Sequence, residues 1–349
     1  MSFGRRPTLR ILANGLDAAG AIDAEIVSNS HFSADRFRVR LAIGADPVGW
    51  SSLIAEPRLR LDVQVSLDGG AWFSSLVTGD VDMIEVDQLG GVITMSGRDL
   101  SAALIEARTQ ETFANNTASE IATTLAGRHG LMADVQSTTT PVGRYWQLEH
   151  DYIVVNQFGR ATTEWDLLVT LAQREAFELW VSGNVLHFRP APVSAGQAVI
   201  LRPVMSAAGP PNITALRLDR SLTLAAPLQV TVKSWNSLRG AAFEESVQQQ
   251  SAGALAGGTS ARPLTYTYVM PNLTPDEARK YALSRLNELS QHARVIAVEM
   301  PGELVLTPRM VVRLVGSVGD FDQFYRIDCI ERYVSCEHGF SQSVHAKSV

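Results

Sequence analysis

The sequence predicts a mainly β protein of the α+β class, with two β regions flanking a mixed α/β middle. Three observations predict it. Apolar and polar residues alternate with period two through residues 1–98 and again through 206–349. Helix-cap signals followed by faces of period 3.6 gather between 99 and 205. The stretch Thr162 to Pro190 switches from the second period to the first within one run.

In the first region, Phe37, Val39, Leu41 and Ile43 alternate with Arg36, Arg38 and Arg40. Leu59, Leu61, Val63, Val65 and Leu67 alternate again and end at Asp68-Gly69-Gly70, a hairpin turn signal. Asp46 to Trp50 reads as a short helical or turn element between these runs. Trp72 to Val86 and Val92 to Ser96 supply further strands across Gly90-Gly91. Many short strands separated by turns suggest a small barrel or sandwich.

The middle region opens with a helix from Ser101 to about Ala107. Thr117 and Glu120 then form a capping box, Ala118, Ile121, Ala122 and Leu125 make an apolar face, and Gly130 is placed to stop the helix. Thr163 caps a third helix with Asp166 as its partner, and Trp165, Leu168, Val169 and Ala172 recur on one face. Phe177, Leu179 and Val181 switch to strand alternation. Ser182-Gly183-Asn184 turns the chain, and Val185 to Phe188 returns.

In the last region Asn212 to Asp219 and Leu228 to Trp235 read as strands. Residues 237–262, rich in Gly, Ala, Ser and Gln, read as a mobile loop. Thr274-Pro275-Asp276-Glu277 starts a helix that runs to about Gln291, burying Ala278, Ala282, Leu286 and Leu289. Strands follow at Arg294 to Glu299, Met310 to Val315, Phe324 to Val334 and Phe340 to Ala346.

Composition excludes several classes. With 46% hydrophobic and 19% charged residues over 349 positions the chain is an ordinary globular one. A net charge of -6 argues against a dedicated nucleic-acid binder. No apolar run reaches bilayer length, and the start carries no signal-peptide pattern. Cys329 and Cys336 have an odd spacing that puts them on opposite faces of a continuous strand, so two free buried thiols are expected rather than a disulfide. No metal, nucleophile-elbow or phosphate-loop motif is present, so no catalytic, metal or cofactor-binding residue and no cofactor is assigned. Glu149-His150-Asp151 is the one dense polar triplet, and neighbours on a strand do not converge. Glu244-Glu245 reads as a solvated loop tip. The Arg36, Arg38, Arg40 row reads as a solvent- or subunit-facing strand side before a phosphate track, and Trp50 and Trp72 as buried aromatics before sugar platforms.

Residues 164–188, EWDLLVTLAQREAFELWVSGNVLHF, resemble a helix–hairpin segment of the phage late control protein D family, the baseplate hubs of contractile tails. SGRDLSAALIEA at 96–107, NTASEIATTLAGRHGLMADV at 116–135 and the run from Glu277 to Ala346 are similar to further parts of the same family. The resemblance covers nearly the whole chain, strongest at 97–190 and 274–346. Two departures replace a usual glycine, at Ala176-Phe177 and at Pro308-Arg309, and Arg332-Tyr333 stands near a frequent histidine.

The resemblance, which extends to the hub part of type VI secretion spike proteins, implies a structural, non-enzymatic protein. It implies two small tube-type β-barrel domains, 1–98 and 206–349, flanking an α/β domain, 99–205. Three chains would form a ring whose six barrels match a six-fold tail tube above, while its three-fold symmetry matches a trimeric spike below. Implied partners are the homotrimer, the spike, tail tube or tube-initiator proteins, the tape measure protein and baseplate wedge proteins, with DNA only passing through. The implied location is the virion tail baseplate, assembled in the host cytoplasm. A tail-tip cell-wall hydrolase and a carbohydrate-binding tail adhesin are the alternatives. Within this reading Asp80 and Asp82, two apart in the acidic stretch Thr78 to Asp87, share a strand face and are the channel-lining candidates.

Overall fold

Alternation at the two ends of the chain resolves into one sheet. The computed structural model describes residues 5–109, 113, 116–142, 144–147, 150–153, 163–191, 198–205, 209–224, 227–236, 241–249, 264–270 and 273–349. The N-terminal part supplies β1 (Thr8–Ala13), β2 (Leu16–Asp17), β3 (Ala21–Asn29), β4 (Arg36–Ala42), helix α1 (Pro47–Ala55), β5 (Arg60–Ser66), β6 (Ser74–Asp87) and β7 (Val92–Asp99). The middle supplies α2 (Ala102–Glu106), α3 (Ala118–Arg128), β8 (Met132–Val135), β9 (Arg144–Gln147), β10 (His150–Ile153), α4 (Glu164–Glu175), β11 (Phe177–Ser182) and β12 (Val185–Pro190). The remainder holds β13 (Val199–Leu201), β14 (Ala215–Arg220), β15 (Leu228–Asn236), β16 (Ala241–Gln249), β17 (Leu264–Val269), α5 (Pro275–Gln291), β18 (Arg294–Pro301), β19 (Val311–Leu314), β20 (Phe324–Ser335) and β21 (Gly339–Ser348). Strand outweighs helix, as an α+β, mainly β chain requires.

The large sheet has 13 strands in the order β14-β18-β21-β20-β3-β4-β7-β6-β5-β1-β2, with β13 and β19 attached beside β20. Its two halves meet where β3 pairs with β20 over seven residue pairs, from Asn29 opposite Cys329 to Asp23 opposite Ser335. The sheet is open as an ordered path. Ala18 N–H bonds Ile11 O at 2.8 Å, extending the β1–β2 hairpin by one more pair. Asn212, before β14, is clipped to the β13 region three times. Its N–H bonds Arg202 O at 3.0 Å, its Oδ1 accepts from Arg202 N–H at 2.7 Å, and its Nδ2 donates to Ile200 O at 2.8 Å.

Alternation explains which residues pack inside. In β4 the arginines point outward while Phe37, Val39 and Leu41 are buried with Ile11, Trp50 and Met95. Ile296, Val298, Tyr325 and Val344 fill the equivalent space under the C-terminal strands. Val65, Val334 and Phe340 join the halves below β3 and β20. The middle helices bury Ile121, Leu125, Trp165, Leu168 and Leu171 against the β11–β12 hairpin, whose β12 edge takes β8 in parallel. Helix α5 covers a separate three-stranded sheet, β16-β15-β17, over Val230, Val232, Tyr281 and Leu286.

Three helices start where capping predicts. Thr117 with Glu120, Thr163 with Asp166 and Thr274 with Glu277 form reciprocal capping boxes. Three sequence expectations are corrected. Residues 241–249 form strand β16, because Phe243 and Val247 lie two strand steps apart and pack under α5 with β15. Glu244 is therefore a strand residue paired with Lys233 at 2.6 Å, not a loop tip. The rest of 237–262 lies outside the described residues, as does Glu149 of the polar triplet. Both thiols are free, but Cys336 is exposed in the turn after β20 rather than buried along it. Trp50 is buried as expected, whereas Trp72 is 81% exposed in the β5–β6 loop.

Ala176, at a position where the resembling family carries glycine, closes α4 with φ 55°, ψ 38°, the left-handed region. An L side chain there costs on the order of 1 kcal/mol. Ala176→Gly is expected to raise stability by about 0.5–1 kcal/mol, after the added entropy of the unfolded glycine is subtracted. Chemical denaturation midpoints check this, and an unchanged or lowered midpoint contradicts it.

Candidate interaction surface

Two arrangements of charge emerge from this sheet. The first is a ladder on its outer face. Residues directly opposite across paired strands point the same way. Registers therefore align Arg36 on β4, Arg98 on β7, Asp80 on β6 and Arg60 on β5 in one row. Asp80 pairs with Arg60, Nε to Oδ1, at 2.9 Å. Asp82 pairs with Arg98, Nε to Oδ2, at 2.6 Å, and Arg98 also reaches Glu106. These hydrogen bonds, Asp82 first, raise the Arg98 pKa. Asp82 sits at a β-bulge between Val81 and Met83. The bulge resets the alternation, so Met83 joins the outer face, 61% exposed, instead of sharing Val81's side. Both candidate carboxylates thus reach the arginine-bearing face. Gly79 and Gly97 flank this crossing. A Cβ at either would fall 2.9 Å or 2.6 Å from the Phe37 ring, so both must be glycine for Phe37 to lie inside.

The second arrangement is a buried junction. Arg309, at the other position where the resembling family carries glycine, has φ 75°. Its N–H bonds Ile327 O at 2.9 Å, and the side chain is buried, with only 6% of the residue exposed. The guanidinium lies 4.6 Å from the Trp180 ring centroid, and Trp180 stacks in turn on His187 at 4.5 Å. Arg309 Nε stands 2.8 Å from Glu178 Oε2, an ion pair rather than an aligned hydrogen bond. Arg326 meets the other Glu178 oxygen at 3.3 Å. Burial lowers the Arg309 pKa, and Glu178, Asp35 and Asp99 oppose that.

Asp35 and Asp99 face Arg309 from the N-terminal half. Asp35 N–H donates to Asp99 Oδ2 at 3.1 Å, and Asp99 N–H donates to Asp35 O at 2.9 Å. Burial, then the neighbouring Asp99 charge, pushes the Asp35 pKa up to about 7, while burial raises that of Asp99. Trp165 Nε1 donates to Phe32 O at 2.7 Å, pinning α4 beside them. Between these groups lies a cleft of about 680 Å³, lined by Asp35, Asp99, Trp165, Trp180, Arg309 and Arg332 among others. Sequence reasoning found Asp80 and Asp82 but none of this junction. Its sequence signals are two departures from the resembling family, Arg309 in place of a usual glycine and Arg332 near a frequent histidine.

A tail protein from Neisseria meningitidis MC58 superposes with a TM-score of 0.71 at 15% identity, covering 98% of this chain and 96% of that one. The chain has the fold of a phage-type tail protein. The 43 kDa tail protein of prophage MuSo2 from Shewanella oneidensis gives 0.68 at 16% identity, with 98% of both chains covered. A type VI secretion system component from E. coli, itself described as similar to T4 bacteriophage tail proteins, gives 0.55 at 11% identity. There 97% of this chain and 76% of that one are covered. No protein-family model and no curated protein matches the sequence. None of the described helices is long and apolar enough to cross a membrane.

Two outcomes follow from the junction. Arg309→Gly relaxes the backbone yet removes the cation that Asp35 and Asp99 face and leaves Glu178 only Arg326. A net loss of about 3 kcal/mol is expected, opposite in sign to Ala176→Gly. Urea unfolding of both variants decides it. For Asp35, the folded state holds its proton to about pH 7 while the unfolded chain releases it near 3.8. Its stabilising contribution is therefore full below about pH 4 and lost as pH rises through about 7. Asp35→Asn is expected to flatten the decline in stability between about pH 4 and about pH 7. A variant whose pH profile overlays that of the parent contradicts this.

Proposed function

We propose that the chain is a structural, non-enzymatic hub protein of a phage-like tail, forming a three-fold ring between a tail tube and a spike. The observation that carries this is the correspondence of fold with the Neisseria tail protein, which covers 98% of this chain and 96% of that one. The reading divides the chain at 1–98, 99–205 and 206–349. The first and last parts serve as barrel-type domains, and the middle decorates the ring. The clip of Asn212 onto the β13 region supports a barrel-type C-terminal half, and the β3–β20 pairing supports two halves held side by side in one chain. Three copies then supply six halves, matching six-fold tube proteins on one side and a trimeric spike on the other. Tube-initiator, tape measure and wedge proteins are the further partners of this reading, and the baseplate of a virion tail is its location.

In this ring the outer face bearing Asp80 and Asp82 lines the channel. DNA carries about one charge per 1.7 Å of axis, so an unbalanced basic wall would hold it by counterion release. Here Arg60 and Arg98 are each paired with a carboxylate, which leaves fewer free cations on the wall to hold phosphate.

Light scattering is expected to give a trimer, alone or after addition of the spike. A monomer under both conditions overturns the ring. The double variant Asp80→Lys, Asp82→Lys should still fold, since exposed charges rarely decide folding. It frees Arg60, leaves Arg98 only Glu106 as partner and adds two cations, so assembled particles should retain DNA at low salt and release it as salt rises. Unaltered DNA passage at every salt concentration returns this face to ordinary solvated surface.

A further inference from the structure

Arg309 has a counter-charge in the junction, but a second arginine there does not. Arg332 lies on the inward side of β20 between Ile330 and Val334, and is 4% exposed. Its Nη2 donates to Leu306 O and its Nε has no partner. Among the described residues no carboxylate lies within ion-pair distance of it. Burial brings its pKa down to about 10, with Asp35 pulling weakly the other way. Gln342, opposite Arg332 on β21, is 3% exposed and has both amide heteroatoms unpartnered. A guanidinium kept this dry without an anion is among the costlier things a fold can hold. Arg332 nevertheless lines the cleft of about 680 Å³, which is a volume suited to a small molecule.

We propose that this cleft is an oxyanion site, in which Arg332 receives a phosphate or carboxylate group carried on a small molecule. Guanidinium groups suit either oxyanion through paired N–H donors. Ser28, Ser33 and Thr307 line the same space and bring hydroxyl donors. The charges facing Arg332 set the balance. Asp35 and Asp99 oppose an anion from the N-terminal half, while Glu178 is already engaged by Arg309 and Arg326. When Asp35 carries its proton the cleft has a net positive charge, so anion binding strengthens as pH falls through about 7. The proposal stands on Arg332 and the cleft, and does not depend on ring formation.

The test is calorimetric titration of the full chain at constant ionic strength. Sulfate, whose charge is constant between about pH 6 and about pH 8, stands in for phosphate, and acetate stands in for a carboxylate. Saturable binding of one or both is expected. Sulfate alone assigns a phosphate-type ligand, and acetate alone a carboxylate. Arg332→Gln should weaken binding about tenfold or more. Because that variant can fail to fold, Asp35→Asn supplies the second arm. It should tighten binding several-fold at about pH 8 and leave it unchanged at about pH 5, a gain that misfolding does not produce. Absence of saturable binding of either anion to the parent chain overturns the proposal. So does an Asp35→Asn variant with parental affinity at about pH 8.

Discussion

One buried cation holds three parts of this molecule in register. Arg309 takes its backbone hydrogen bond from the C-terminal strands, its ion pair and ring partner from β11, and its remaining field from Asp35 and Asp99 at the ends of the N-terminal strands. The arrangement is costly at every point. The backbone is left-handed, the guanidinium is dry, and one of the facing aspartates is held near the edge of ionisation. Such a group seldom adds net stability compared with apolar packing. What it imposes is geometry, since a planar guanidinium between a carboxylate and an indole tolerates few relative placements of the elements that carry them.

Around that point the rest of the fold relies on apolar packing and strand pairing. Each half of the large sheet has its own core, and Val65, Val334 and Phe340 bridge them beneath the pairing of β3 with β20. The outer face is free to carry charge because alternation sends every second side chain away from these cores. The bulge at Asp82 leaves that carboxylate on the face of Asp80 and turns Met83 out beside it, where strict alternation would have sent Met83 to the other side.

What the sequence revealed was local. Capping boxes span three residues, so Thr117, Thr163 and Thr274 were readable as helix starts, and period-two runs marked most strands of the large sheet. Strand β16 was missed because its alternation is carried by only two apolar residues, Phe243 and Val247, among Glu, Ser and Gln. Strand β17 was passed over because its pairing with β15 is parallel and no turn links the two. The junction was out of reach for a plainer reason. Glu178 and Arg309 are 131 positions apart, and Asp35 lies further still. No periodicity links residues at that separation. Of the two candidate carboxylates, sequence located the strand but not the arginines that neutralise them, since Arg60 and Arg98 come from neighbouring strands.

The pairing of β3 with β20 also sets a timetable. Asp23 meets Ser335, and every rung between these strands joins residues about 300 positions apart. A ribosome adding roughly 5–20 residues per second exposes β3 for about 15–60 s before β20 exists. Throughout that interval the first half has a strand with one unpaired edge, the kind of surface that recruits stray chains. Polar and charged residues along β3, Asp23, Glu25, Ser28 and Asn29, guard it until β20 is made. A nascent chain stalled before that point would be open to exchange with its neighbours on the same message.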